Sequence, residues 1–189
     1  MNFRGIIYYL GFFCFPISIL SFINILYASY FDYFLSIDAY FSTLLISLIL
    51  GSGLLFLNKK SKKKINFIEQ LVLIIFVYLL ISLLIALPFY LSNYQVTFIN
   101  SLFEAISGIT GTGFSIFKNI KYLDPTLILW RSSSQWIGGL YFLFFLTIIF
   151  SNKQFSFKMM DLTFSGDGVL NSENNIKNFL FKIFTIYSL

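Results

Sequence analysis

The 189-residue sequence contains no histidine, a single cysteine and few charged residues. Histidine is the most frequent general base and a frequent zinc ligand, so its absence argues against a hydrolase or a zinc enzyme. Cys14 has no second cysteine with which to form an intramolecular disulfide. Charged side chains make up 11% of the residues, against roughly a quarter in an ordinary soluble domain. Because hydrophobic residues make up 58%, the composition predicts an integral membrane protein, and we expect it to be all-α.

Four uncharged runs are long enough to cross a bilayer as a helix, which takes about 20 mostly apolar residues. They are Gly5 to Phe31, Ala39 to Asn58, Leu71 to Phe103 and Ser132 to Phe150. Pro16 is expected to kink the first run. The third run is too long for one helix, and we expect it to divide at Pro88. A short helix would remain over Thr97 to Ile109, and it cannot cross a bilayer about 30 Å thick.

The basic residues predict the orientation of the chain. Arg4, the run from Lys59 to Lys64, Lys153 and Lys158 fall on one side if the segment between Pro88 and Lys118 enters and leaves the membrane at one face. The positive-inside rule then places the N-terminus in the cytoplasm. We expect the chain to cross the inner (plasma) membrane of the cell four times. The lysine run is interpreted as a topology signal that also contacts membrane lipid, and no nucleic-acid partner is expected.

A segment rich in glycine and threonine lies between the third and fourth runs, with Gly108, Gly111 and Gly113 within six residues. Irregular backbone at membrane depth survives only where protein buries it or where it lines an aqueous path. A short helix, such a loop and a full helix form a potassium-channel pore unit, in which carbonyls replace the water around a cation. We therefore predict a re-entrant pore loop whose selectivity filter is the backbone of Thr110, Gly111, Thr112 and Gly113. Small-residue helix packing is the alternative, but Gly111 and Gly113 would lie on opposite faces of a helix.

The segment from Phe103 to Ser115, followed by Trp130-Arg131-Ser132 and by Gln135 to Gly139, resembles the first pore repeat of the TrkH/KtrB potassium transporters. The resemblance covers residues 69–150. It implies transport of potassium or another monovalent cation, with K⁺ bound by the filter backbone, no catalytic residue and no cofactor. Gly113 matches the glycine that this family carries in each filter loop, whereas Gly111 stands where a threonine is expected and should make the loop more flexible.

On this resemblance the chain has four parts. Residues 1–65 form two leading transmembrane helices and a basic cytoplasmic loop, and residues 66–151 form the first pore repeat. Residues 152–177 form a cytoplasmic linker, and residues 178–189 begin a truncated helix. Because family members carry four repeats, we expect the chain to be the N-terminal, filter-bearing part of a longer uptake subunit. The resemblance also implies a homodimer of complete subunits and a cytoplasmic nucleotide-binding regulatory subunit.

Several residues near the filter are candidates for supporting it. Glu104 is an ionisable group at membrane depth, and we expect it either to brace the loop by hydrogen bonds or to act near the outer mouth. Arg131 is either an interfacial anchor or the partner of Glu104 or Asp124, whereas Trp130 is interpreted as an interfacial anchor. Phe114, which follows the filter directly, is included as a supporting residue.

Other interpretations of the chain stay open. In a scaffold or assembly factor that transports nothing, the Thr/Gly segment would be only a turn between helices. The chain is alternatively a truncated transporter without function. Gly138 and Gly139 are expected to let the last helix bend or pack tightly, which is a structural role with consequences for gating. An enzyme acting within the membrane would need a nucleophile and a base at one depth, and no such pair is apparent in the sequence.

Overall fold

The computed structural model describes residues 3–33, 37–58 and 66–150, together with Thr185 and Tyr187. Within these residues every regular element is helical. The α-helices are α1 (Phe3–Phe12), α2 (Cys14–Tyr30), α3 (Ile37–Asn58), α4 (Phe67–Leu91), α5 (Phe98–Ile109) and α6 (Pro125–Phe150), and a 3₁₀-helix (Ile120–Tyr122) precedes α6. The lysine run and the linker at 152–177 lie outside the described residues, as does the final segment 178–189 apart from Thr185 and Tyr187.

Three helical stretches are long and apolar enough to cross a membrane, and they correspond to the first three predicted runs. They are Phe3–Tyr30, Ile37–Asn58 and Phe67–Leu91. Large apolar side chains such as Phe41, Ile49 and Ile75 are exposed on them, which suits lipid better than water. The buried stripe of α3 consists instead of small or polar residues, including Thr43 and Ser47, as in helices that pack within a membrane. The fourth predicted run lies within the 26-residue helix α6. The chain is therefore a helical, multi-pass membrane protein.

The first predicted run is interrupted before Pro16, as expected, and the interruption separates α1 from α2 at Phe13. In a continuous helix Pro16 would have no N–H to donate to the Phe12 carbonyl, and its ring would press against that carbonyl. At the interruption the backbone N–H of Phe13 donates to the carbonyl of Leu10, three residues earlier, at 3.2 Å. This bond closes a tighter turn than that of an α-helix.

The third run does not divide at Pro88, so this prediction is wrong in its position. α4 continues past Pro88 to Leu91, and the proline occupies the last turn of the helix. At that place a proline removes a single hydrogen bond and leaves no long remainder of the helix to displace. Ser92 Oγ donates to the Phe89 carbonyl at 2.7 Å and closes the helix end. At the other end of α4, the backbone N–H of Asn66 donates to Glu69 Oε2 at 2.9 Å in a capping box.

Two compact units make up the chain, Met1–Gly138 and Gly139–Leu189. The core of the first unit is aromatic, with Tyr40 of α3, Phe89 of α4 and Trp130 of α6 almost fully buried. Trp130 Nε1 donates to the Ile85 carbonyl at 3.0 Å, and its ring centroid lies 5.7 Å from that of Tyr40. Trp130 is therefore a core residue, and its interpretation as an interfacial anchor is wrong because both its ring and its N–H are enclosed by protein.

The second unit begins within α6 and also packs through aromatic rings. The ring centroids of Phe144 and Phe145 lie 5.8 Å apart, and those of Tyr141 and Phe145 lie 6.3 Å apart. The side chain of Tyr187 lies against Gly139, where an added Cβ would meet the Tyr187 ring. In this unit a glycine thus makes room for an aromatic side chain, which is the tight packing expected of the Gly138-Gly139 pair.

One end of the first unit is marked by Tyr94, just after α4, and Asp124, just before α6. The backbone N–H of Asp124 donates to Tyr94 Oη at 2.8 Å. Trp130, which follows Asp124 in the chain, contacts Ile85, which precedes Tyr94. α4 and α6 therefore run antiparallel from this junction. Residues 95–123, which include α5, therefore start and finish at the same end of the unit. We call it the Asp124 end.

Candidate functional site

The helix α5 starts near the Asp124 end and has 12 residues. At 1.5 Å per residue it is about 18 Å long, which is too short for a bilayer about 30 Å thick. Thr97 caps it, because Thr97 Oγ1 accepts a hydrogen bond from the backbone N–H of Asn100 at 3.4 Å. Ser101, Glu104 and Gly108 are buried on one face of this helix. The short helix predicted over Thr97 to Ile109 is confirmed.

The chain leaves α5 in a loop that requires two glycines. Gly111 has a φ of +70° and Gly113 a φ of +76°, and both values lie in the left-handed region that side chains disfavour. A Cβ added at either position would meet no heavy atom within 4 Å. The requirement for glycine is therefore conformational within this chain. Gly111 was expected only to loosen the loop, but a threonine would be strained at its φ.

The loop folds back onto the last turn of α5 mainly through Ser107. Ser107 Oγ donates to the Phe114 carbonyl at 2.6 Å, and Thr112 Oγ1 lies 3.2 Å from Ser107 Oγ. Thr110 Oγ1 donates to the Ile106 carbonyl at 2.7 Å. These bonds fix the loop without using the carbonyl oxygens of Thr110, Gly111 or Thr112. The loop residues are exposed in this chain, so their backbone is accessible.

Glu104 is fully buried and binds the residues that follow the Thr/Gly segment. Its Oε1 accepts hydrogen bonds from Ser115 Oγ and from the backbone N–H of Ile116, both at 2.6 Å. Its Oε2 pairs with Arg131 Nη1 of α6 in a buried salt bridge. Both carboxylate oxygens are thus used, and they connect residues 115 and 116, just after the predicted filter, with α6.

Arg131 joins Glu104 to the carbonyl oxygens at the end of the predicted filter. Its Nη2 donates to the Gly113 carbonyl at 2.9 Å and to the Phe114 carbonyl at 3.1 Å. Bonds from a charged donor are roughly twice as strong as neutral ones. Of the roles left open for Arg131, the structure brings it to Glu104 and not to Asp124. The Gly113 carbonyl, predicted to face an ion with the other three, is engaged by this arginine.

Close contact between α5 and α6 brings Arg131 to its position. A Cβ on Gly138 of α6 would lie 2.6 Å from the carbonyl carbon of Ile109, so only glycine fits there. A Cβ on Gly108 of α5 would lie 3.2 Å from Ser134 Cβ on α6. The tight packing predicted for Gly138 is therefore present, and its neighbour is the backbone at the end of α5.

Sequence reasoning missed Ser107 and Ser115. Both lie beside the Thr/Gly segment, but serine is common in loops and neither position has a distinctive spacing. A usable signal was present, because Ser115 lies two residues after Gly113 and eleven residues from a buried acid that needs donors. A carboxylate predicted at membrane depth should have directed attention to nearby hydroxyl and N–H donors.

The arrangement offers oxygen atoms to a cation. The C-terminus of α5 carries about half a negative charge and runs directly into the loop. Within the described residues, no group of three or more His, Cys, Asp or Glu side chains could hold a metal ion. Backbone carbonyls and threonine hydroxyls suit a hard monovalent ion whose hydration shell they replace.

Comparison with known proteins shows the family to which the chain belongs. Residues 36–159, more than half of the chain, match the family TrkH, described as cation transport protein. The Trk system potassium uptake protein TrkG of Escherichia coli K12 is 32% identical over 106 residues, which are 56% of this chain and 22% of TrkG. TrkH of the same organism is 28% identical over 103 residues, which are 54% of this chain and 21% of TrkH. TrkI of Halomonas elongata is 42% identical over 60 residues, which are 32% of this chain and 12% of TrkI. The matched part is thus about a fifth of the two longer-matching relatives, and this chain belongs to the TrkH family.

Proposed function

We propose that this chain contributes one flank of a potassium-conducting pore in an uptake system for monovalent cations. The observation that carries the proposal is the loop at residues 110–113, with two glycines at positive φ and with the Gly113 carbonyl held by Arg131 of a buried Glu104–Arg131 pair. A loop that only turned between helices would need neither buried charge. In a filter such a brace has a use, because the carbonyls must keep their spacing while an ion sheds its water.

The proposal treats residues 95–123 as a re-entrant segment. It is supported by the hydrogen bond between Tyr94 and Asp124, which puts both ends of the segment at one end of the unit. It is also supported by the length of α5, which suffices for only part of the bilayer. With the N-terminus in the cytoplasm, as the basic residues predict, the Asp124 end faces outward across the inner membrane.

The chain matches only about a fifth of TrkG and TrkH. In this proposal one loop lines only part of a pore, and further loops of the same kind complete it. We propose that the other loops come from a longer subunit, that complete subunits form a homodimer, and that a cytoplasmic nucleotide-binding subunit regulates them. The exposed position of Phe114, 69% accessible beside the filter loop, fits a surface that other pore loops cover. K⁺ is the transported ion in this proposal, and the chain itself carries no cofactor.

Replacing Gly113 by alanine tests the assignment. In a potassium-uptake-deficient bacterium, the longer subunit that carries this sequence should restore growth at low potassium. We expect Gly113→Ala to impair that growth or to raise sodium uptake, because alanine at positive φ costs about 1–2 kcal/mol and relief of this strain would displace the carbonyl that Arg131 holds. Uptake of K⁺ and Na⁺ is measured at equal abundance of the protein in the membrane.

Gly53→Ala is the matched control, because a Cβ at Gly53 of α3 also meets open space while its backbone is helical. It should leave uptake unchanged. Normal potassium uptake and selectivity in Gly113→Ala would remove the filter assignment and favour a scaffold in which the loop is only a turn. Failure of the unmodified subunit to restore growth would favour the alternative of a non-functional transporter.

A further inference from the structure

A buried carboxylate oxygen at the Asp124 end has no hydrogen-bond partner. Asp124 is only 5% exposed. Its Oδ1 accepts hydrogen bonds from the backbone N–H and from Oγ1 of Thr126, each at 2.9 Å. Its Oδ2 is buried and has no partner among the described residues. This oxygen belongs to neither the filter loop nor the Glu104–Arg131 pair.

Among the described residues, donors reach only one of the two carboxylate oxygens of Asp124. Both hydrogen bonds to Oδ1 come from Thr126 in the first turn of α6, where Asp124 caps the helix. Among the described residues the ion pair is that of Glu104 with Arg131, and no lysine or arginine pairs with Asp124. A buried charged oxygen without a donor or cation is costly, so the position calls for a bound group.

Besides Thr126, two tyrosine hydroxyls belong to the hydrogen-bond network of this aspartate. Tyr40 Oη donates to Thr126 Oγ1 at 3.2 Å, and Tyr94 Oη accepts the backbone N–H of Asp124 at 2.8 Å. Tyr40 is fully buried whereas Tyr94 is 41% exposed, so the group extends from the core to the surface. We call Tyr40, Tyr94, Asp124 and Thr126 the Asp124 cluster. It contains three hydroxyl groups and one carboxylate, and Tyr94 is its most exposed member.

We propose that the Asp124 cluster binds one monovalent alkali cation, with Asp124 Oδ2 as its charged ligand. A single positive charge matches the single carboxylate. Ca²⁺ takes six to eight oxygen ligands, commonly several carboxylates, and the described residues contain no cluster of three acidic or other metal-ligating side chains. A water molecule would supply a donor to Oδ2 but would leave the buried charge without a counter-ion. The cation supplies charge compensation as well, and the site is independent of the filter.

The test is thermal unfolding of the purified chain in lipid nanodiscs at constant ionic strength. Choline chloride is replaced stepwise by potassium or sodium chloride. We expect the Tm to rise with K⁺ or Na⁺, because a ligand that binds only the folded state stabilises it. Asp124→Asn keeps the oxygen that caps α6 but removes the charge, so the half-saturating cation concentration should rise at least about tenfold.

Two control variants separate the cluster from other cation sites. Asp38→Asn removes an exposed carboxylate from the first turn of α3, and it should keep the full cation response. Gly113→Ala alters the filter loop but not the Asp124 cluster, and the response that depends on Asp124 should persist in it. This response would then stand even if the proposed filter function failed.

No cation response in the unmodified chain, or a full response in Asp124→Asn, would mean that water alone satisfies Oδ2, and would overturn the proposal. Should Asp124→Asn fail to fold, crystals of the unmodified protein grown with Tl⁺ decide the matter by anomalous scattering. A peak in contact with Asp124 Oδ2 supports the site. Its absence, with the Asp124 side chain resolved, overturns it.

Discussion

Polar side chains are buried in both the leading helices and the pore segment, but they are satisfied in different ways. In α2 and α3 several of them bond within their own helix: Asn24 Nδ2 donates to the Leu20 carbonyl at 2.9 Å and Thr43 Oγ1 to the Ala39 carbonyl at 2.8 Å. Ser21 Oγ and Asn24 Oδ1 of α2 have no partner among the described residues. Between α4 and α6 some of the buried polar groups bond across the fold. Arg131 reaches Glu104, 27 residues earlier in the chain.

The difference separates helices that anchor the chain in the membrane from a segment that holds the loop after α5 in shape. A helix satisfies its own backbone, so a serine or threonine inside it needs only a local carbonyl and can be lost with little effect. The loop after α5 has irregular backbone and depends on distant donors to hold it. The leading helices should therefore tolerate removal of a buried polar group, and the pore segment should not.

The largest effect is expected from removing the charge of Arg131. Arg131→Met leaves Glu104 buried without its counter-ion, and breaking a buried pair in this way costs about 3–5 kcal/mol. We expect a much lower Tm in detergent and loss of potassium uptake. Adding Glu104→Gln should recover part of the stability, because the uncompensated charge is then gone, but it should not restore uptake.

Arg4→Met is the control for this change, since Arg4 is exposed at the start of α1. It removes the same positive charge without uncovering a buried carboxylate. If Arg131→Met unfolded at the same temperature as Arg4→Met, the salt bridge would contribute nothing to the fold, and the loop would need another source of support.

A smaller loss of stability is expected for Gly138→Ala. The added methyl group would lie 2.6 Å from the carbonyl carbon of Ile109, and backbone cannot rotate away as a side chain would. Overpacking typically costs about 1–3 kcal/mol, and a backbone neighbour puts this case at the upper end. The end of α5 should shift, so uptake should fall together with the Tm. An unchanged Tm would show that α5 and α6 can separate freely.

A comparable but more local effect is expected for Gly111→Thr, which introduces the residue expected at this position in the family. A side chain at a φ of +70° costs about 1–2 kcal/mol, although nothing blocks its Cβ. Gly53→Thr in α3 is the control without positive φ. Hydrogen exchange of the amides at residues 110–115 should increase only in Gly111→Thr. Equal exchange in both variants would mean that the loop readily adopts another conformation.

The predictable parts of the fold are those set by local sequence. Runs of apolar residues located the helices, and the Thr/Gly segment located the end of α5, because hydropathy and backbone freedom act over a few residues. Two predictions failed, one on the end of a helix and one on packing between helices. Pro88 lies inside α4 because its place in the last turn makes it tolerable. The burial of Trp130 depends on a carbonyl 45 residues away, which no local pattern contains.

The site divides in the same way. Glu104 and Arg131 were candidates because charges are rare at membrane depth, but two partners were open for the arginine. The choice of Glu104 follows from the close approach of α6 to α5, which Gly108 and Gly138 permit. The unpartnered oxygen of Asp124 could not be found from the sequence at all, since an aspartate before Pro125 predicts only a helix cap.

The smallest effect is expected for Thr43→Val in α3. Thr43 is fully buried, but its hydroxyl donates only to the Ala39 carbonyl of its own helix, which already accepts a backbone bond. Valine has the same shape, and interhelical or local hydrogen bonds of this kind average about 0.6 kcal/mol within membranes. We expect a Tm close to that of the unmodified chain and unchanged uptake.

Thr126→Val is the matched comparison in the pore segment, because Thr126 is equally buried and the substitution is identical. Its hydroxyl accepts from Tyr40 and donates to Asp124, so valine leaves one buried donor unpaired and removes one bond from a carboxylate that already lacks a partner on Oδ2. An unpaired buried group costs about 1–3 kcal/mol. The Tm of Thr126→Val should thus fall clearly below that of Thr43→Val. Equal values would contradict the distinction between locally satisfied anchoring helices and a pore segment held by distant partners, since the two threonines differ in little else.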